Sequence, residues 1–274
     1  MRKLRLSRKP DSTTIVFIVL GALIVLFIVV PLIKTVVSSS PGTLWNTLLE
    51  EDVTYSILLT IFAALIATLV GLFLGVPLAY LLARHQFRGK RILEGLIDIP
   101  IVVPHSAVGI ALLFVFGSNF FMGKFFGNFG ISFFNSVAGV VIAMMFVSVP
   151  FLIDSAKEGF KAVDPRLEKV ARTLGASSWR SFFRISLPLA WRGIFSGSVM
   201  MWARGASEFG AVLIIAYYAV DFPHHPSVAP ILVSDLFRSP AGLDAALPVT
   251  AILIIICLIV FIVLRAIAYK GEKT

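Results

Sequence analysis

Arg204 and Glu208 stand four residues apart in "WARGASEFGAVLIIAYY", a stretch otherwise made of apolar and small residues. Ionised groups are costly in such surroundings, so a pair of them marks either a functional step or a deliberate neutralisation. An arginine there can attract a passing anion, and a glutamate can balance it. The rival reading is a pair that only packs inside a helix bundle. Arg before Glu is the less favourable order for an i,i+4 pair, so either group could find its partner on another helix or a second subunit. Ser207 lies between them. His105 follows Pro104 in "DIPIVVPHSAVGIALLFVFG" and reads equally as a pathway residue or as a satisfied core histidine. The histidines of "PHHP", His224 and His225, read as an external loop turn, because no cysteine stands at metal-ligand spacing from them. Cys257 is the single cysteine and has no internal disulfide partner. No nucleophile has a base beside it, and nothing calls for a cofactor. A phosphate-binding Gly-x-x-x-x-Gly-Lys-Ser/Thr loop is also missing: Gly89-Lys90 is followed by Arg91, and Gly123-Lys124 by Phe125. A chain of this kind that works on ATP must borrow its ATPase from another chain.

These groups must be positioned by elements whose solvent is lipid. Of 274 residues, 58% are hydrophobic and only 14% charged, with a mean hydropathy of +0.95, where a soluble domain carries roughly 25% charge. Uncharged runs long enough to cross a bilayer, roughly 20 residues, are Ile15–Ile33 and Val53–Ala83. Further spans are expected over "DIPIVVPHSAVGIALLFVFG", with a kink or broken turn at Pro100 and Pro104, then about Phe133–Ile153, Leu189–Tyr218 and Ala245–Leu264. Arg204 then lies about 22 Å beyond Leu189, deep inside its span. Ile15–Ile33 follows a basic start but is too long for a cleaved signal peptide, and Pro31-Leu-Ile-Lys is no cleavage site, so it is a retained first span. Ala63, Ala67, Gly71, Gly75 and Ala79 recur every fourth residue and form a stripe that lets a neighbouring helix come close.

The net charge of +9 could suggest nucleic acid, but the arrangement of the basic residues assigns it to one face of the membrane. Assigning loops alternately to the two sides puts 20 of the 24 Lys and Arg on one side, whereas Lys34, Lys124 and Arg238 lie on the other. Basic loops stay in the cytoplasm, so both termini are expected there, with no nucleic-acid partner.

Eight of those basic residues fall between spans four and five. There Asp164-Pro165 reads as an N-cap and first helical residue. Leu167, Val170, Ala171 and Leu174 share one helical face, and Gly175 ends the helix. Ser177 or Ser178 can cap a second short helix carrying Trp179, Phe182, Phe183 and Ile185, which Pro188 should stop. The result is a compact basic knob. An amphipathic element lying on the anionic inner leaflet is the alternative, but a surface anchor needs no fixed glycine corner, whereas a knob that fits a groove does.

Gly175, followed after nine residues by Ile185-Ser186-Leu187-Pro188 and preceded by Ala171-Arg-Thr-Leu174, resembles the EAA loop of importer permeases of the ATP-binding cassette class. Lys169 and Val170 stand where that pattern has Glu-Ala, and Glu168 is one residue early. The resemblance runs from about Tyr55 to Arg265. "DIPIVVPHSAVGIALLFVFG", "FVSVPFLIDSAKEGF" and "WARGASEFGAVLIIAYY" are similar to molybdate and tungstate permeases, particularly the archaeal type, with sulfate permeases as relatives. It implies the type I importer permease fold: an all-α membrane protein with six transmembrane helices and a cytoplasmic helical coupling insert between spans four and five. It also implies a non-catalytic subunit in the plasma membrane, working as a homodimer with two copies of a cytoplasmic ATPase and an external oxyanion-binding protein. The expected divisions are 1–52 (tail, first span, external loop), 53–265 (permease core, including the coupling loop 154–188) and 266–274 (cytoplasmic tail). Glu168, Ala171, Leu174, Gly175, Ile185 and Pro188 become the expected ATPase-coupling residues. Pro104, His105, Arg204, Ser207 and Glu208 are the pathway or gate candidates. An autonomous secondary transporter would instead predict internal repeats and paired broken helices; the sequence offers one break and no clear repeat.

Overall fold

The computed structural model describes residues 11–270, all of whose regular elements are helical. The basic start of the chain (Arg2, Lys3, Arg5, Arg8, Lys9) and Lys273 lie outside the described residues. Helices α1 (Ser12–Val37), α2 (Pro41–Leu49) and α3 (Glu51–Arg84) are followed by α4 (Lys90–Val102), α5 (His105–Phe116) and α6 (Phe121–Gly127). Next come α7 (Val137–Ala162), α8 (Pro165–Thr173) and α9 (Ser178–Ser181), a π-turn (Phe182–Ser186) and α10 (Leu187–Ala206). The chain continues through α11 (Gly210–Ile215) and α12 (Ala229–Arg238) to α13 (Leu243–Lys270). Among the described residues, four helices (α1, α3, α7 and α13) are long and apolar enough to cross a membrane, and α4 with α5 forms a bent pair that passes only together.

Helices α3, α7 and α10 form the centre of the molecule, with α7 packed extensively on both others. The small stripe on α3 makes this possible: Ala63, Ala67, Gly71, Gly75 and Ala79 are all buried. The α7–α10 crossing is closer still. A Cβ on Gly193 would lie 2.7 Å from Gly159 Cα and 2.8 Å from the Ser155 carbonyl oxygen, so only glycine permits this approach. Ser155 Oγ donates to the Gly193 carbonyl at 2.8 Å across the same contact. In contrast, α1 buries no residue and packs mainly on α13, as expected of a helix facing lipid.

The two ends of the bundle differ in chemistry. At the end bearing α8, the C-terminus of α3 meets that of α7 and the start of α10 around Ala79, Leu82, Phe160 and Ala190. At the far end, Asp221 accepts from the Val137 amide at 2.7 Å, and Ser136 Oγ caps Gly139, so two of the unpaired donors of α7 are satisfied. His224 and His225 take left-handed φ values of 64° and 49° there. His224 stacks on Tyr55 with centroids 4.1 Å apart and lies 3.2 Å from Glu51.

Of two local expectations, the broken turn at the prolines is found and the stop at Pro188 is not. The helix pair α4–α5 is bent by 113°, well beyond a proline kink, because both the Pro100 and Pro104 positions lack an amide donor and Val103 before Pro104 is forced to extended backbone. Pro188 does not stop the second insert helix. It sits in the first turn of α10, and the widened π-turn before it carries the chain from α9 into α10 without interruption. The second helix of the knob is thus the root of α10.

Candidate functional site

Helix α10 ends at Ala206, and Ser207-Glu208-Phe209 form a break before α11 starts at Gly210. This second break abuts the first. A Cβ on Gly210 would come within 2.9 Å of His105 Cβ, at the start of α5. Irregular backbone at such depth is tolerated only where protein or a polar path surrounds it. Arg204, His105 and Glu208 meet at this junction. Glu208 Oε2 lies 3.0 Å from Arg204 Nη2 and 3.0 Å from His105 Nδ1. Glu208 Oε1 accepts from the Ala211 amide at 3.0 Å and so caps α11. Arg204 Nη2 is also 2.8 Å from His105 Nε2. The same Nη2 lies 3.0 Å from His105 Nδ1, so the guanidinium sits against the nitrogen edge of the ring.

Burial divides the trio. The Glu208 side chain is 1% exposed, whereas Arg204 is 25% and His105 37% exposed. Ser207 is exposed, and its Oγ donates to the Arg204 carbonyl at 3.0 Å. Arg204 Nη1 makes only a 3.4 Å contact with Ser207 Oγ, so the guanidinium retains donor capacity on its open side. Pro104 is exposed at the turn before His105. The pair is therefore no i,i+4 pair within a helix: Glu208 lies beyond the helix end, which removes the unfavourable order. A carboxylate fixes a guanidinium and an imidazole at the meeting of two helix breaks, and the guanidinium keeps a donor on its open side. Such an arrangement can attract an anion without holding it irreversibly.

The knob is built as expected at its start. Asp164 caps α8 by accepting from the Arg166 amide at 2.9 Å, and Gly175 takes φ +89° after its end. Its faces are inverted relative to an ordinary amphipathic helix. Leu174 is 83% and Val170 57% exposed, as is Trp179 at 72%, whereas Glu168 is buried. Ala171 and Ile185 are half-buried, and Gly175 and Pro188 exposed. Three donors converge on Glu168: Arg84 Nε at 2.7 Å, Tyr80 Oη at 2.9 Å and Ser186 Oγ at 2.8 Å. Burial disfavours the charged carboxyl, but the hydrogen bonds from Ser186, Tyr80 and Arg84, with the Arg84 charge, hold it below the usual carboxylate range.

The description "Binding-protein-dependent transport system inner membrane component" belongs to the family whose sequence signature matches residues 71–270. The chain belongs to this family. Among similar proteins is the molybdate/tungstate transport system permease protein WtpB of Pyrococcus furiosus, 42% identical over 267 residues, covering 97% of this chain and 99% of that one. The molybdenum transport system permease protein ModB of Escherichia coli is 35% identical over 192 residues, 70% of this chain and 82% of that one. The fold is shared with a chain of a bacterial transporter that imports alginate, with a TM-score of 0.74 at 14% identity over 94% of this chain and 96% of that chain. These likenesses make this membrane protein an importer-type permease by fold and family.

Arg84, Tyr80 and Ser186 are the site residues that sequence reasoning missed. Arg84 counts only as one more basic residue after a span, and Tyr80 as one more aromatic. The one available signal was Glu168 itself, the lone acid within a basic helix, whose partner had to come from elsewhere.

Proposed function

We propose that this chain is the membrane permease of an ATP-driven importer for molybdate or tungstate, acting as a homodimer in the plasma membrane. The carrying observation is the likeness to WtpB, named as a molybdate/tungstate permease, at 42% identity along 97% of the chain. Sulfate permeases of the cysT type match at 34% identity over 69% of the chain, a weaker and shorter likeness that makes sulfate the second reading. The basic excess orients the end with α8 to the cytoplasm, with both termini on that side. Six crossings follow if α4 with α5 makes one and α10 with α11 another. The knob's outward Leu174, Val170 and Trp179 offer an apolar surface in a basic setting to a separate ATPase, two copies of which serve the dimer. An external binding protein delivers the anion at the far end.

A dianion cannot cross hydrocarbon unaided, so it needs a switched polar path. Arg204 supplies the donor at the helix breaks, held against His105, and Glu208 moderates its pull. Conduction needs attraction strong enough for entry and weak enough for exit. The test is uptake of labelled tungstate into proteoliposomes holding the permease, its ATPase and the loaded binding protein. ATP-dependent uptake competed by molybdate and not by sulfate is expected. Uptake without ATP, or competition by sulfate alone, would overturn this reading.

A further inference from the structure

We propose that Glu168 is a positioning residue that clasps the knob to the membrane helices, so that a push on α8 moves α3 and α10 with it. This rests on the reading that the knob receives an ATPase. Three side chains from two separate segments end on this one carboxylate. Arg84 closes α3 and Tyr80 lies one turn earlier; Ser186 ends the π-turn at the root of α10. Arg84 also donates through Nη2 to the carbonyl of Val163 at 3.0 Å, where α7 leaves its last turn. Arg84 and Glu168 side chains are each 8% exposed and Ser186 fully buried. Tyr80 is itself wedged edge-on between Phe160 and Phe182, at centroid distances of 5.3 and 4.9 Å.

The geometry has a mechanical meaning. Helix α8 has little apolar burial of its own: its aliphatic side chains point outward. Without the clasp it would hang on its two chain ends, and an applied force would bend the loop instead of moving the spans. A buried charge-assisted network resists such bending because opening it strands charges in a dry place. The clasp occupies the inner side of α8, so a partner can occupy the outer side at the same time.

The experiment uses proteoliposomes with permease, ATPase and tungstate-loaded binding protein, and reads tungstate taken up per ATP hydrolysed. ATPase capture is measured separately. In Glu168→Gln the uptake per ATP falls about ten-fold. Tyr80→Phe keeps the ring packing and removes one hydrogen bond, so it captures as much ATPase as wild type while uptake per ATP falls about three-fold. Glu168→Cys with Arg84→Cys, in a Cys257→Ala background, regains most of the ratio when a short bifunctional thiol reagent ties the two positions. A wild-type ratio in both single variants, or no recovery on tying, overturns the clasp. Should Glu168→Gln fail to reach the membrane, a wild-type ratio in Tyr80→Phe alone overturns it. Failure of the wild-type permease to capture ATPase at all overturns the docking reading instead, and is seen before any variant is compared.

Discussion

Three carboxylate contacts set the chemistry of Glu208: Arg204 and His105 on one oxygen, the Ala211 amide on the other. Removing either charge alone strands its partner, so Arg204→Met and Glu208→Gln should each lower tungstate uptake at matched membrane levels, by about ten-fold or more. The double variant distinguishes two roles. If the pair only balances charge, uptake returns; if Arg204 also draws the anion, uptake stays low while ATPase capture is normal. Wild-type uptake in all three variants would leave the trio without a part in transport. Glu168 allows a pH argument. Its folded-state pKa is depressed, so its stabilising contribution is complete above the ordinary carboxylate range and lost only as pH falls through the depressed value. Around neutral pH the clasp should therefore not titrate. Uptake per ATP should stay flat there and fall only in acid, which a pH series on the wild type would check. The trio was half legible in the sequence. Arg204, Glu208 and His105 were each visible as costly polar groups, but their meeting depends on two helix breaks. One break was marked by Pro104; the other has no proline at all and comes from Glu208 capping α11.

At the scale of elements, the apolar runs and the four-residue stripe announced α3 because lipid burial and close packing leave periodic traces in composition. The α7–α10 crossing is less legible, since Gly159, Gly193 and Gly197 are spread over two helices and their register is a tertiary fact. It yields a sharp prediction. Gly193→Val must push apart two backbones, costing about 1–3 kcal/mol by overpacking. The unfolding midpoint in detergent should fall accordingly. Gly21→Val on α1, where nothing lies within 4 Å of the added carbon, is the matched control, and it should unfold like wild type. Equal midpoints for the two variants would mean that the crossing tolerates separation. The second insert helix was misread at Pro188 for a related reason: proline marks a lost donor, and whether the chain stops or widens into a π-turn depends on what holds it from outside. Here Ser186, at the end of that turn, is held by Glu168.

The molecule as a whole is divided into a lipid-facing belt and one end where apolar side chains stand among basic ones. Exposed leucines and phenylalanines on α1 or α3 need no partner but lipid. Leu174 and Trp179 differ, because they project from the knob beyond the last turn of α7, where Lys157, Lys161, Arg166 and Arg172 mark an aqueous, basic setting. Exposed apolar groups of that size outside the bilayer point to a protein surface that covers them. The chain also has no phosphate-binding loop of its own. Together these features predict that the purified permease shows only background ATP hydrolysis, and that adding the proposed ATPase produces turnover in a bound complex. Leu174→Glu places a charge at the centre of the covered patch, so capture of the ATPase should weaken about ten-fold or more. Its own unfolding midpoint should remain that of wild type, because Leu174 is 83% exposed and supports nothing within the chain. The same substitution at lipid-facing Phe73, 79% exposed, should do the reverse: impair insertion while leaving the knob competent. Sustained ATP turnover by the pure permease would refute the borrowed-motor reading. Undiminished capture by Leu174→Glu would move the docking surface away from the tip of α8.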